Sequence, residues 1–240
     1  MTKITEWRNA FLDSVCFPAE EAQWVSRYLQ TEYNDETADI VRARIPALFA
    51  DALPEEDDVL TWMREGVREA YAHRGVYPAW PRGRSLLLLG LPGRGKTHQA
   101  FGAIRGLAAC GLRCNWQYVT QVDYYARLRP RPAVDPEAEY RTLATAGLLI
   151  LDDVGVAKES EWTGEAFWRL VDYRYQHVLR TIFISNLLPR RPEEGPLSEP
   201  GAGGPTLPEY LGERINSRIG AMAAVVPIIG PDQRRGEISR

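Results

Sequence analysis

At 240 residues with 45% hydrophobic side chains, the chain holds enough apolar material for one α/β domain and a small appendage. No apolar run approaches the ~18 residues of a membrane span and Met1–Glu6 has no signal-peptide core, so a cytoplasmic location is expected; Cys16, Cys110 and Cys114 form neither a metal-ligand pattern nor a disulfide framework. The net charge of −3 gives no argument for nucleic acid by itself, but it is unevenly spread, with 5 basic and 13 acidic side chains in residues 1–60 against 24 and 19 in residues 61–240.

The acidic lead-in reads as helical. Pro18–Gln30 has proline in a plausible first turn, acids next, and Ala22, Val25, Tyr28 and Leu29 at helical spacing. A second helix is predicted over Asp35–Leu53, bent or divided by Pro46. A third spans Glu55–His73, opening on four acids and ending at Gly75, as dipole and C-cap preferences favour. Residues 1–55 are read as a small helical partner-binding segment and residues 56–240 as the main domain. The other reading of these helices is simple packing on the main domain. Trp80, just before the first strand, either stacks on an adenine or packs.

Leu86 to Leu89 then enter Gly90-x-x-x-x-Gly95-Lys96-Thr97, a buried strand feeding a Gly-rich turn, with a helix over Thr97–Leu107 behind it. That spacing lets the backbone curl so that several N–H groups point into one cavity at a helix N-terminus, where the dipole favours phosphate. Lys96 is expected to reach the β- and γ-phosphates of ATP, and the Thr97 hydroxyl to take a Mg²⁺ position. The predicted binding set is Gly90, Pro92, Gly93, Arg94, Gly95, Lys96, Thr97 and His98.

Gly111 is a predicted C-cap, Arg113–Val119 a second strand, and Thr120 the cap of a helix over Gln121–Leu128. Tyr124, Tyr125, Arg127, Arg129 and Arg131 supply stacking faces and phosphate contacts of the kind that follow single-stranded DNA. A solvated arginine face over core tyrosines is the equal alternative. Gly147–Asp153 is an apolar central strand that delivers Asp152 and Asp153 at its C-terminal edge, where parallel sheets keep their ligands. Such a strand gains nothing by ending in paired like charges unless a cation is present. Asp152 is therefore expected to hold Mg²⁺, directly or through water, and Asp153 to orient or deprotonate an attacking water. Ser160 is placed to cap a helix running to about His177, and Arg180–Asn186 reads as another buried strand. Asn186 either bonds the attacking water or γ-phosphate, or simply ends the strand.

Taken together, Gly90–Thr97, Leu148–Gly155, Ser160–Trp162, Thr181–Leu187 and Leu211–Ile219 resemble the AAA+ ATPases of the DnaC-like helicase-loader and IstB-like transposition-helper group. The resemblance runs from about residue 60 to Arg235. It implies an α/β fold with a five-stranded parallel P-loop (AAA+/ASCE) sheet flanked by helices, preceded by a small helical segment and lacking a C-terminal lid domain. The strand ending at Asn186 would lie between the P-loop strand and the Asp152 strand. The Gly-Glu-Arg-x-x-x-Arg helix of the group carries an arginine finger, which falls on Arg218, with Arg214 one turn earlier on the same face. A finger supplies positive charge to the γ-phosphate in the transition state, here from a neighbouring subunit. Two departures stand out: a Gly/Pro-rich loop over Arg190–Glu209, and an acidic N-terminus without the cysteine–histidine cluster of some loaders.

The expected function is an ATP hydrolase with weak turnover outside an assembly, loading a replicative helicase onto single-stranded DNA. An ATPase helper of a DNA transposase is the alternative within the same fold. A small-molecule P-loop kinase would transfer phosphate to a soluble acceptor without assembly, and a nucleotide-gated binding module would show negligible turnover.

Overall fold

A computed structural model describes residues 3–15, 17, 25, 40–72, 80, 82–158, 160–189 and 205–233. Five strands, β1 (Ser85–Leu89), β2 (Trp116–Thr120), β3 (Leu148–Val154), β4 (Arg180–Ser185) and β5 (Ala223–Pro227), form one parallel sheet in the order β2-β3-β4-β1-β5. The P-loop strand and the aspartate strand are thus separated by β4, as the resemblance implied. β1 and β4 are buried along their whole lengths, which is why Leu86–Leu89 and Ile182–Ile184 read as unbroken apolar runs rather than alternating ones.

The helices are α1 (Lys3–Asp13), α2 (Asp57–Ala72), α3 (Lys96–Ala109), α4 (Gln121–Leu128), α5 (Pro136–Ala144), α6 (Glu161–Gln176) and α7 (Leu207–Met222). Among the described residues no α-helix follows β5. The predicted Pro18–Gln30 helix lies outside the described residues apart from Val25, as do residues 190–204 of the Gly/Pro-rich loop. The last part of that predicted loop is helix: Thr206 caps α7 through a reciprocal box with Glu209, and Pro208 occupies the first turn. Proline there is a start signal rather than a loop residue.

The chain divides into two compact units, residues 1–83 with 97–116, and residues 84–96 with 117–240. In the first, residues 40–44 are helical, the chain breaks at Pro46, and Ala47–Phe49 resumes as a 3₁₀ turn. Phe49 stacks on Phe101 of α3 with ring centroids 5.1 Å apart. The amide of Gln99 ties α3 to the start of α2 by accepting from the Glu55 and Glu56 N–H groups at 2.9 and 3.2 Å. α1 is joined to α2 where Arg64 Nε donates to Ser14 Oγ and Arg68 donates to the Val15 carbonyl. Trp80 is buried edge-on to Trp62 and lies over Gly66, so it packs and offers no face to an adenine. Cys110 is a free thiol, and burial pushes it up to about 12 and keeps it unreactive.

In the second unit, the apolar faces of α4, α5, α6 and α7 close over Leu87, Leu149, Leu151 and Phe183 of the sheet. α7 is not a continuous helix: Gly212, at φ 71° and ψ 163°, interrupts it, and Glu213–Met222 forms the arginine-bearing part. One polar side chain sits at the centre of this packing. Arg174 is 1% exposed, and its guanidinium donates to the carbonyls of Leu143, Ala144, Ala146 and Arg180 and to Thr181 Oγ1 at 2.6–3.1 Å. Three of those acceptors are the terminal carbonyls of α5 and the turn after it, so the helix dipole balances the buried charge. Arg174→Ala is expected to strand these carbonyls without donors and lower the unfolding free energy by about 3–5 kcal/mol, read by denaturant titration.

Candidate nucleotide site

Three strand ends meet at one level of the sheet. Leu89, the last residue of β1, is in register with Ser185 of β4, and Ser185 is in register with Val154 of β3. At roughly 4.8 Å per strand, this sets the P-loop and the end of β3 about 10 Å apart on the same C-terminal edge. Asn186 follows Ser185 and so lies between them.

On the β1 side, Gly90 to Gly95 curl into the first turn of α3, which starts at Lys96. Lys96 is 6% exposed, and its ammonium donates to the Gly90 carbonyl at 2.7 Å and the Leu91 carbonyl at 2.8 Å. The amine is therefore held over its own loop by acceptors that a phosphate oxygen can replace. Thr97 and His98 follow in the same first turn of the helix.

On the β3 side the strand carries a bulge. Leu151 pairs with Phe183 and Val154 with Ser185, so Asp152 and Asp153 together oppose the single residue Ile184. Asp153 takes a left-handed backbone, φ 54°, and its N–H donates to Asp152 Oδ1 at 2.8 Å. The bulge thus turns the second carboxylate away from the direction a regular strand would give it. Asp152 is 4% exposed, and its Oδ2 accepts from the Tyr118 hydroxyl at 3.3 Å. Burial, and then the Asp152 charge, push the Tyr118 hydroxyl well above the ordinary phenol range, so it remains a donor. Among the described residues no three His, Cys, Asp or Glu side chains converge as a metal cluster. A Mg²⁺ held by one carboxylate, one hydroxyl, water and phosphate needs no such cluster.

The predicted finger, Arg218, is on the second part of α7. Its Nε donates to Asp172 of α6 at 3.1 Å, and its guanidinium lies 4.9 Å from the Tyr175 ring and 5.4 Å from the Trp168 ring. Arg214 covers the same indole at 4.3 Å. Asp172 and Trp168 went unnoticed in the sequence; their i, i+4 spacing on α6 was the available sign.

The candidate DNA segment divides. Tyr124 and Tyr125 are 0% and 6% exposed, with Tyr124 donating to the Ala166 carbonyl at 2.7 Å and Tyr125 lying 6.0 Å from the Trp162 ring. These tyrosines belong to the core, which corrects the stacking reading. Arg129 and Arg131 are exposed, and Arg127 reaches Glu139 at 3.9 Å. Beneath them, Gln121 is fully buried, its carbonyl oxygen accepting from the Gly155 N–H at 2.9 Å and the Tyr210 hydroxyl at 3.0 Å.

No helix of the described residues is long and apolar enough to cross a membrane. No protein-family profile and no curated protein matches the sequence. Solved structures do match. The DnaC helicase loader superposes with a TM-score of 0.55 at 21% identity, over 77% of this chain and 100% of that one. DnaI gives 0.55 at 21% identity over 79% and 94% of the two chains. AMPPCP-bound DnaA from Aquifex aeolicus gives 0.53 at 18% identity over 77% of this chain and 50% of its own. The chain therefore shares the fold of the DnaC and DnaI structures.

The left-handed turn at Asp153 sets what that position accepts. Asp153→Gly is expected to keep the unfolding free energy within about 1 kcal/mol of the parent, whereas Asp153→Val should lose more than about 2 kcal/mol in the same titration.

Proposed function

We propose that this chain binds and hydrolyses Mg-ATP as an AAA+ protein of DNA replication, loading or remodelling a replicative helicase on single-stranded DNA. The observation that carries the reading is the meeting of the P-loop, Asn186 and the bulged aspartate pair at one sheet edge, in a fold that covers the whole of the DnaC chain. In this reading Gly90, Pro92, Gly93, Arg94 and Gly95 shape the phosphate cradle, and Lys96 exchanges its two carbonyl acceptors for phosphate oxygens. Thr97 and Asp152 hold Mg²⁺, which when bound neutralises charge on the β- and γ-phosphates. Asp153 accepts a proton from the attacking water, and Asn186 orients that water.

The finger role of Arg218 belongs to an assembly. Its bond to Asp172 uses Nε, which leaves the two terminal amino groups of the guanidinium to face a neighbouring copy's γ-phosphate. Arg127, Arg129 and Arg131 contact the DNA backbone, a sequence-independent attraction that weakens with salt. The acidic segment 1–55 engages the helicase. A transposase in place of the helicase would keep every one of these residues in role, so the two readings part only at the partner. The kinase reading is disfavoured by the Asp152–Asp153 pair combined with Asn186.

Lys96→Ala is expected to abolish binding of a fluorescent ATP analogue. Arg218→Ala should leave that binding intact and lower single-stranded-DNA-stimulated turnover by at least tenfold, and undiminished turnover would defeat the trans-finger role. Native mass measurement with ATP, single-stranded DNA and either a hexameric helicase or a transposase identifies the partner; a complex with the transposase alone would remove the loader reading.

A further inference from the structure

The chain beyond β5 turns back along the P-loop. Ile228 N donates to the Leu89 carbonyl at 2.7 Å, and Gln233 N donates to the Gly93 carbonyl at 3.0 Å. Residues 228–233 thereby form a strap beside the loop. The approach is close enough to decide which residues the loop tolerates. A Cβ on Gly90 would lie 2.4 Å from the Ile228 carbonyl oxygen, and one on Gly93 1.9 Å from a carboxylate oxygen of Asp232. Both glycines also have positive φ, 157° and 80°.

The bond from Gln233 has a directional consequence. A trans peptide sends its C=O and N–H to opposite sides. With the Gly93 carbonyl anchored on the strap, the Arg94 N–H is turned to the other side of the loop. A phosphate cradle requires its N–H groups to point the same way into one cavity, and an unanchored glycine peptide can flip. Lys96 does the same for the two carbonyls at the start of the loop. Its grip is released when phosphate arrives, whereas the strap bond involves no group that phosphate replaces.

We propose that Gln233 and Asp232 are positioning residues for the nucleotide: the strap fixes the Gly93–Arg94 peptide so that the cradle is formed before phosphate enters. The proposal rests on the nucleotide-site reading above. It assigns the effect to the main-chain donor of Gln233 and to the fit of Asp232 against Gly93, and to no other property of the Gln233 side chain.

The test measures the Kd of a fluorescent ATP analogue and the melting temperature without nucleotide, on the full chain. Gln233→Pro, which removes the N–H, is expected to weaken binding about tenfold, near 1.4 kcal/mol and the scale of one hydrogen bond. Gln233→Ala keeps the N–H and should bind within about twofold of the parent, with its melting temperature unchanged. Asp232→Trp, whose ring cannot occupy the space against Gly93, should weaken binding as the proline does. If Gln233→Pro fails to fold, the outcome is decided on Asp232→Trp. Parental affinity in Gln233→Pro, or in Asp232→Trp where that variant decides, overturns the strap's role if Lys96→Ala has lost binding. Parental affinity in Lys96→Ala overturns the site reading itself, and the strap falls with it. Equal weakening in Gln233→Ala and Gln233→Pro assigns the effect to the side chain and also overturns the proposal.

Discussion

Ser185 ends β4 with its hydroxyl fully buried, donating to the Val154 carbonyl at 2.5 Å and accepting from the Leu187 N–H at 3.1 Å. Its strand runs between the P-loop strand and the aspartate strand, so this hydroxyl lies where the two halves of the site are brought level. β3 uses it directly after the bulge at Asp152 and Asp153, where the Val154 carbonyl takes its donor from this side chain. A buried carbonyl left without a donor costs about 1–3 kcal/mol, and the serine supplies the donor there. The aspartates thus leave the ladder while the carbonyl that follows them keeps a donor. An apolar residue at this position would suit the strand and fail the bulge.

Much of this was legible beforehand, for a physical reason. A strand buried on both faces has to be apolar throughout, so polar residues appear only where it reaches the edge. Leu86–Leu89 before Gly90, Leu148–Leu151 before Asp152, and Ile182–Ile184 before Ser185 all show that change. The β3–β4–β1 order came from the resemblance, since nothing in the spacing of the strands orders them. What the sequence hid depends on contacts between distant elements. Tyr124 and Tyr125 are neighbours, about 100° apart around α4. Burying both requires packing on two sides, and α6 provides it through the Ala166 carbonyl and Trp162. α5 was overlooked although Asp135 caps it and Pro136 starts it, because nine residues with three buried positions, Tyr140, Leu143 and Ala144, all in the second half give a weak period. The bulge left no mark at all, as Asp153 is one of the residues that tolerates a left-handed backbone without advertising it.

Arginine shows the same limit most sharply. All but Lys3, Lys96 and Lys158 of the 29 basic residues are arginine, so the residue type carries little information. The fold gives three of them unlike work. Arg174 is buried among carbonyls and holds α5 to β4. Arg169 is more than half exposed, pairs with Glu137 at 2.8 Å and covers the Tyr140 ring at 3.7 Å. Arg218 stands at an aromatic surface beside Arg214. Only Lys96 could be picked out from its type alone, since a flexible point charge is what a phosphate at a helix N-terminus needs.

The Arg218–Asp172 pair bears on how an assembly would use the finger. The two side chains are 38% and 19% exposed, and a pair so placed contributes at most about 1 kcal/mol. The aromatic contacts with Tyr175 and Trp168 add a similar amount. A γ-phosphate carries more charge than Asp172 and would sit in a drier interface, so the pair is too weak to hold Arg218 back from it. It is strong enough to select one orientation for a long side chain that would otherwise sample many. The restraint therefore acts on entropy, by presenting the guanidinium already ordered. On the proposed trans-finger role, a lone subunit would lack a facing P-loop for this arginine rather than be held by an internal lock. In that reading the step that switches the enzyme on is the arrival of the neighbouring copy, and Asp172 shortens what the arginine has to do once it is there.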